Sequence, residues 1–239
     1  RLHLELDVDG ALTPVPALVG EIAPDLLLVN DGDLAYAKVR LDDASLATAL
    51  SSLRGFTDSL ARTLVWGAAW DMTRDGEWPA RNFIDLVLGN IDAETDSSVV
   101  MVLLRQLGQA IGEFVDPTVR GEVAVAAAER LWELTTAAAP GSDAQLQFAK
   151  AYAIRARTPE QLGRLAALLD GTDAVEGLAI DVDLRWELLI GLVAGGAAGE
   201  AEIAAELVRD ATANGERSAA QARAAIASHE AKEAVWAKV

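Results

Sequence analysis

The feature that most constrains this chain is a single change of hydrophobic period. Up to about residue 42, apolar residues alternate with polar ones; from Asp43 onward they recur every three or four positions, and the first pattern never returns. A period of two buries one face of a strand, and a period near 3.6 buries one stripe of a helix. The sequence therefore predicts a mainly α protein: an irregular HEAT/armadillo-like α-solenoid of antiparallel helices with a short N-terminal β segment.

In the first part, "RLHLELDV" sets Leu2, Leu4, Leu6 and Val8 against His3, Glu5 and Asp7. Gly10, Pro14, Pro16, Gly20 and Pro24 then break helix and restrict any strand to an edge. "LLLVNDGDLAYAKVRLD", residues 26–42, reads as two strands around the turn Asn30-Asp31-Gly32-Asp33. Three or four short strands are too few for an independent sheet. The pattern opens in mid-strand at Arg1, as in a segment cut from a longer polypeptide.

In the second part, Val100, Leu103, Leu104, Leu107, Ile111 and Phe114 form one stripe of a helix expected over about Thr95 to Phe114. Asp116-Pro117 and Thr158-Pro159 each place a capping side chain before a Pro at the first helical position, and Ser142-Asp143 starts another helix. About eleven helices with short connections follow, and short connections set sequential helices antiparallel. Helix pairs recur every 35–45 residues or so, the period of HEAT or armadillo arrays, without a strict residue signature.

Composition excludes several functions. With 37 acidic against 20 basic residues and a net charge of −17, the surface repels phosphate backbones and anionic lipids, so no nucleic acid and no membrane partner is expected. The longest uncharged stretch near the C-terminal half, residues 188–199, is too short and Gly-rich to span roughly 30 Å of hydrocarbon. Cysteine is absent, which rules out disulfides and thiolate metal sites and fits a cytoplasmic location.

Catalytic patterns are equally scarce. The two histidines are His3 and His229. "HEAKE", residues 229–233, puts Glu233 where a zinc-binding H-E-x-x-H needs its second imidazole, and reads as a solvated helix face. There is no G-x-S-x-G, and His3 sits in a strand pattern without a nucleophile beside it. Gly191, Gly195, Gly196 and Gly199 match neither G-x-G-x-x-G nor a G-K-[ST] loop and read as a helix end. "DVDG", "NDGD" and "DVD" (residues 7–10, 30–33 and 181–183) do not continue as EF-hand loops and read as turns and caps. Trp66, Trp70, Trp78, Trp132, Trp186 and Trp236 are expected to pack in the core rather than to cage a ligand. Arg130 with Glu129 and Glu133, and Arg185 with Asp181, Asp183 and Glu187, are expected as local ion pairs. No catalytic, cofactor-binding or metal-ligating residue is assigned.

Four stretches in order, "LLLVNDGDLAYAKVRLD", "AAWDMTRDGEWPARNFIDLVLGN", "DVDLRWELLIGLVAGG" and "AAIASHEAKEAVWAKV", together resemble the C-terminal part of the M1 zinc aminopeptidases, in their actinobacterial aminopeptidase N group. The resemblance spans essentially the whole chain. It implies that residues 1–42 are the remnant of a β-sandwich domain and its hinge, and that residues 43–239 are the C-terminal helical domain. It implies a non-catalytic part that caps the active-site chamber and helps admit peptides for removal of N-terminal residues. Its partners would be a catalytic domain in cis and peptide substrates. Zinc would belong to that catalytic domain, with none in this chain, which would be inactive alone. Basic residues on the inner face of such domains can meet the peptide's C-terminal side, for which Arg74, Arg81, Arg105, Arg155 and Arg185 are the candidates. The competing reading, from a different class, is a free-standing HEAT-like scaffold for protein interactions. Such a scaffold should open with a polar-faced capping helix rather than with strands.

Overall fold

The computed structural model describes residues 2–237. Eleven α-helices lie within them: α1 (Asp43–Ser52), α2 (Ser59–Arg74), α3 (Ala80–Asn90), α4 (Ser97–Gln109), α5 (Arg120–Ala137), α6 (Asp143–Arg155), α7 (Pro159–Asp170), α8 (Val182–Ala194), α9 (Glu200–Arg209), α10 (Ala213–Ala225) and α11 (His229–Trp236). Most starts are written in the sequence as caps. Asp42, Asp58, Asp96, Ser142, Thr158 and Asp181 each accept from a first-turn backbone N–H, and Thr158 with Gln161 closes a full capping box. Asp116 departs from expectation. Its carboxylate takes the N–H and hydroxyl of Thr118 at 2.8 and 2.7 Å, which closes a separate turn, and α5 begins only at Arg120. The helix expected up to Phe114 also changes character: α4 gives way to a π-turn over Ala110–Phe114.

The helices stack in two layers, the solenoid arrangement expected. On one side α1 neighbours α3 and α3 neighbours α5. On the other side α2 meets the π-turn after α4, then α4, α6, α8 and α10 follow in direct contact. The pairs α2–α3, α5–α6, α7–α8 and α9–α10 tie the layers together. Packing is tight in the even layer. At Gly191 of α8, a Cβ would lie 2.4 Å from the carbonyl oxygen of Ala153 in α6, so only glycine lets the two backbones approach this closely. Leu103, Leu107, Leu131, Phe83, Phe148, Leu165 and Leu184 are among the fully buried side chains of the main core. At 1.5–3 kcal/mol for each large apolar side chain removed from water, this core dominates stability.

Buried polar side chains pin the connections between helices. Asn90 accepts from the Arg54 N–H at 3.0 Å and donates to Leu50 and Leu86 carbonyls. Gln161 accepts from the N–H groups of Arg157 and Thr158 and donates to the Val125 carbonyl and Glu129. A buried amide leaves no donor or acceptor spare in these positions, which fixes the loops without apolar mass.

The N-terminal β segment is the clear departure. No residue among those described forms a strand; the segment is irregular apart from a 3₁₀ turn at Pro16–Leu18. Strands exist only by exchanging backbone bonds with a neighbour, and here the bonds go elsewhere. The Leu27 N–H donates to Ser45 Oγ at 2.9 Å, and Thr48 Oγ1 donates to the Asp25 carbonyl at 2.6 Å, which lays residues 25–28 along α1. Leu26, Leu28 and Val39 pack against the main core and Leu41 is buried in it. The expected turn at residues 30–33 does form. Asn30 sits at φ 63° and Asp33 at φ 55°, and the Asn30 side chain bonds both the N–H and the carbonyl of Ala35 at 2.8 Å. Lys38 and Arg40 fasten the following stretch to Asp75 and Glu77 at the end of α2. Residues 2–24 have no such anchorage in the core: Leu2, Val8 and Ile22 are 67%, 75% and 95% exposed.

Candidate functional site

Among the described residues, no three His, Cys, Asp or Glu come together in a way that could hold a metal ion. His229 Nε2 lies 3.4 Å from Glu233 one turn on, with both side chains largely exposed. His3 Nδ1 meets Asp31 at 3.2 Å on the exposed N-terminal segment. Asp181 caps α8 through the Leu184 N–H at 2.8 Å. The Gly191–Gly199 run is helix packing and helix termination. Gly196, at φ 77°, follows the end of α8 while the Ala197 N–H returns to the Leu192 carbonyl at 2.8 Å. No helix of the described residues is long and apolar enough to cross a membrane.

The tryptophans divide into anchors and one outlier. Trp66, Trp70, Trp78 and Trp186 are buried. Trp70 packs on Phe83 and Phe114 at 5.1 and 5.9 Å between ring centres. Trp132 packs on Tyr152 at 5.1 Å, with the Arg164 guanidinium 5.6 Å over its ring. Trp236, by contrast, is exposed on α11.

Two tryptophans also reach distant carboxylates, which reading along the chain missed. Trp66 Nε1 donates to Glu94 at 2.8 Å, and the same carboxylate takes Arg62 through Nε at 2.9 Å and Nη2 at 3.1 Å. This buried triad ties α2 to the loop before α4, and Glu94 holds the Arg62 guanidinium above its ordinary pKa. Trp186 Nε1 donates to Asp210 at 2.9 Å in the same manner. The expected local partners of Arg185 are also wrong. Arg185 forms a fork with Glu206 of α9, Nε and Nη2 each at 2.7 Å. Arg130 does pair with Glu133 at 2.8 Å, but Glu129 binds Arg164 at 2.7 Å instead. Except for Arg130–Glu133, the partner comes from another element rather than the same helix turn, where burial makes a bond worth more than it is on a solvated helix face.

The five candidate arginines separate on the same criterion. Arg185 is neutralised by Glu206, and Arg74 has Asp71 at 3.9 Å. Arg81 lies with Ile84, Leu88, Val123 and Arg130 on an open groove of about 440 Å³ between α3 and α5 in the odd layer. Arg105 is exposed on α4. Arg155 is the unusual one. Its guanidinium donates to two carbonyls, Ala151 at 2.9 Å and Leu104 at 3.1 Å, and so staples α6 to α4 without a carboxylate. Burial, and then the charge of nearby Arg157, push its pKa down to about 10. Burial lowers Arg157 as well. The end of α6, next to Arg105's helix in the even layer, is thus a cationic spot in a strongly acidic chain.

The fold is an all-helical, two-layer array with polar clamps at its loops, and the chain belongs to the ERAP1-like C-terminal domain family, whose pattern matches residues 26–239. Over 237 residues, 99% of its length, it is 52% identical to Aminopeptidase N of Streptomyces lividans. It spans 28% of that relative's length. The resemblance to the C-terminal part of M1 aminopeptidases, drawn from four stretches of sequence, is borne out by both findings.

Proposed function

We propose that this chain is the non-catalytic C-terminal domain of an M1 zinc aminopeptidase of the cytoplasm, and that it roofs the chamber in which peptides lose their N-terminal residues. The observation that carries this reading is the match itself, 52% identity along 99% of the chain to a little over a quarter of an aminopeptidase N. Two structural facts support it. Residues 2–36 expose a run of large apolar side chains that a free-standing protein would have to keep from water. The helices begin at Asp43, where the β-sandwich remnant and hinge of residues 1–42 would hand over to the helical domain of residues 43–239.

Zinc is a poor fit for the residues of this chain, so no chemical step is assigned to them. Their contribution would be enclosure. A two-layer array curves toward its more closely packed layer, here the even helices, so α4, α6 and α10 would lie on the inner side. Arg105 and Arg157, both exposed, have no carboxylate within ion-pair distance among the described residues and would receive the negative end of a peptide. Enclosure excludes water and fixes the peptide, and a misplacement of about 1 Å can cost on the order of a hundredfold in rate.

Deleting residues 43–239 from a full-length enzyme that contains them is the test. The expected result is loss of tetrapeptide turnover with zinc content retained. A truncated enzyme that stayed soluble and kept its kcat/KM would refute the lid and favour the interaction scaffold.

A further inference from the structure

The chain has two apolar cores, and α8 is the wall between them. Leu184, Leu188 and Leu192, four residues apart, are buried in the main core; Trp186, Leu189 and Val193 on another stripe are buried in a second, smaller one. Beyond α8, the buried members of that second core are one isoleucine, Ile203 of α9, and two alanines, Ala219 and Ala222 of α10. Leu207 and Ile226 pack at its edge, and α11 buries no residue. An alanine removes a single methyl from water, so α9–α11 contribute little apolar area of their own, and apart from Ile203 the large buried side chains of this smaller core are those of α8, Trp186, Leu189 and Val193.

Directional bonds take its place. Adjacent residues of α8 grip both α9 and its exit. The Arg185 fork closes on Glu206 while its Nη1 donates to the Leu169 carbonyl at 3.0 Å. Trp186 donates to Asp210, which also accepts from Thr212 Oγ1 at 2.7 Å. We infer that α9–α11 opens from α8 as one unit while α1–α8 remain folded, and that the Arg185–Glu206 and Trp186–Asp210 bonds are its latch. Hydrogen-bonded latches release in one step once their geometry is lost, whereas interdigitated side chains do not, which makes this end the low-stability unit of the array. The inference concerns the helical unit alone and stands whatever the domain caps.

Native-state hydrogen exchange on the 239-residue chain, read by mass spectrometry, tests it. Amides of α9 and α10 should share one exchange rate at least tenfold faster than those of α3, α5 and α6. Trp186→Phe keeps a ring but removes the indole donor, and Glu206→Gln keeps the size but removes the charge. Each should speed exchange in α9 and α10 roughly tenfold further and leave α3–α6 unchanged. Exchange of α9 and α10 at the rate of α5 and α6 in the unmodified chain would overturn the inference. So would variants that accelerate both bodies equally.

Discussion

Residues 2–25 and helices α1–α8 are comparably rich in leucine and valine, yet one buries none of them and the other most of them. Leu2, Leu4, Leu6, Val8, Leu12, Val19 and Ile22 are all exposed, while Leu103, Leu107, Leu131, Leu165 and Leu188 are sealed. The difference lies in where the partner comes from. A helix satisfies its own backbone within four residues and needs only an apolar face to pack, which the next helix supplies. A strand needs a neighbour for its backbone before its side chains can be covered, and "LHLELDV" finds none among the described residues. Hydrophobic pattern states a requirement for burial; it does not state that the chain meets it alone.

The largest effect that sharpens this contrast is a core truncation. Phe83→Ala, at a fully buried position on α3 packed against Trp70, should cost about 4 kcal/mol in urea unfolding. Leu4→Ser together with Val8→Ser should change stability by no more than about 0.5 kcal/mol and should reduce self-association in sedimentation. A comparable loss from both changes would show that the N-terminal segment is part of the core.

Next is the buried triad. Glu94→Ala removes the acceptor of Arg62 Nε and Nη2 and of the Trp66 indole N–H, leaving Arg62 only the Phe56 carbonyl, and should cost about 3 kcal/mol, measured the same way. Thr158→Ala, which opens the capping box of α7, should cost about 1 kcal/mol. His229→Ala on exposed α11 should lie within about 0.5 kcal/mol of the parent, and the isolated chain should carry no stoichiometric zinc by metal analysis.

A pH prediction tests the tether between the two regions. Hydrogen bonding and charge from Lys38, then Arg40, hold the Asp75 carboxyl below its ordinary value of 3.8. A group lowered in the folded state stabilises above its unfolded pKa and loses that contribution as pH falls through the folded one. The stretch 38–41 should therefore be equally resistant to limited proteolysis from pH 7 to about pH 5 and become more susceptible below about pH 4, before the helices unfold. Release already at pH 6 would contradict this.

These expectations also show what was legible in the sequence. The helices were, because period, cap and stop signals are all local: Thr158-Pro159 with Gln161 specifies its helix start within four residues. The packing of most tryptophans was legible too, from their place in apolar runs. The partners of Glu94, Arg185 and Asp210 were not, since 21 to 32 residues separate them from the groups they bind and no period links positions that far apart. For the same reason Arg155 could be named as a candidate but not recognised as a staple held by the Leu104 carbonyl. The strands failed because alternation is necessary for pairing but not sufficient. The absence of any catalytic motif in the sequence left the resemblance to a family as the only guide to a role, and that guide pointed outside the chain.

The chain has two tyrosines, and they stand on opposite sides of the comparison. Tyr36 is fully exposed between residue 26 and α1, and Tyr152 is buried with its hydroxyl donating to the Gln161 carbonyl at 3.0 Å. Nitration by tetranitromethane, mapped by mass spectrometry on the isolated chain and on a full-length enzyme that contains it, measures directly whether the exposed segment is an interface. The account predicts that Tyr36 is modified readily in the isolated chain and protected in the full-length enzyme, with Tyr152 unmodified in both. Equal nitration of Tyr36 in the two would contradict it.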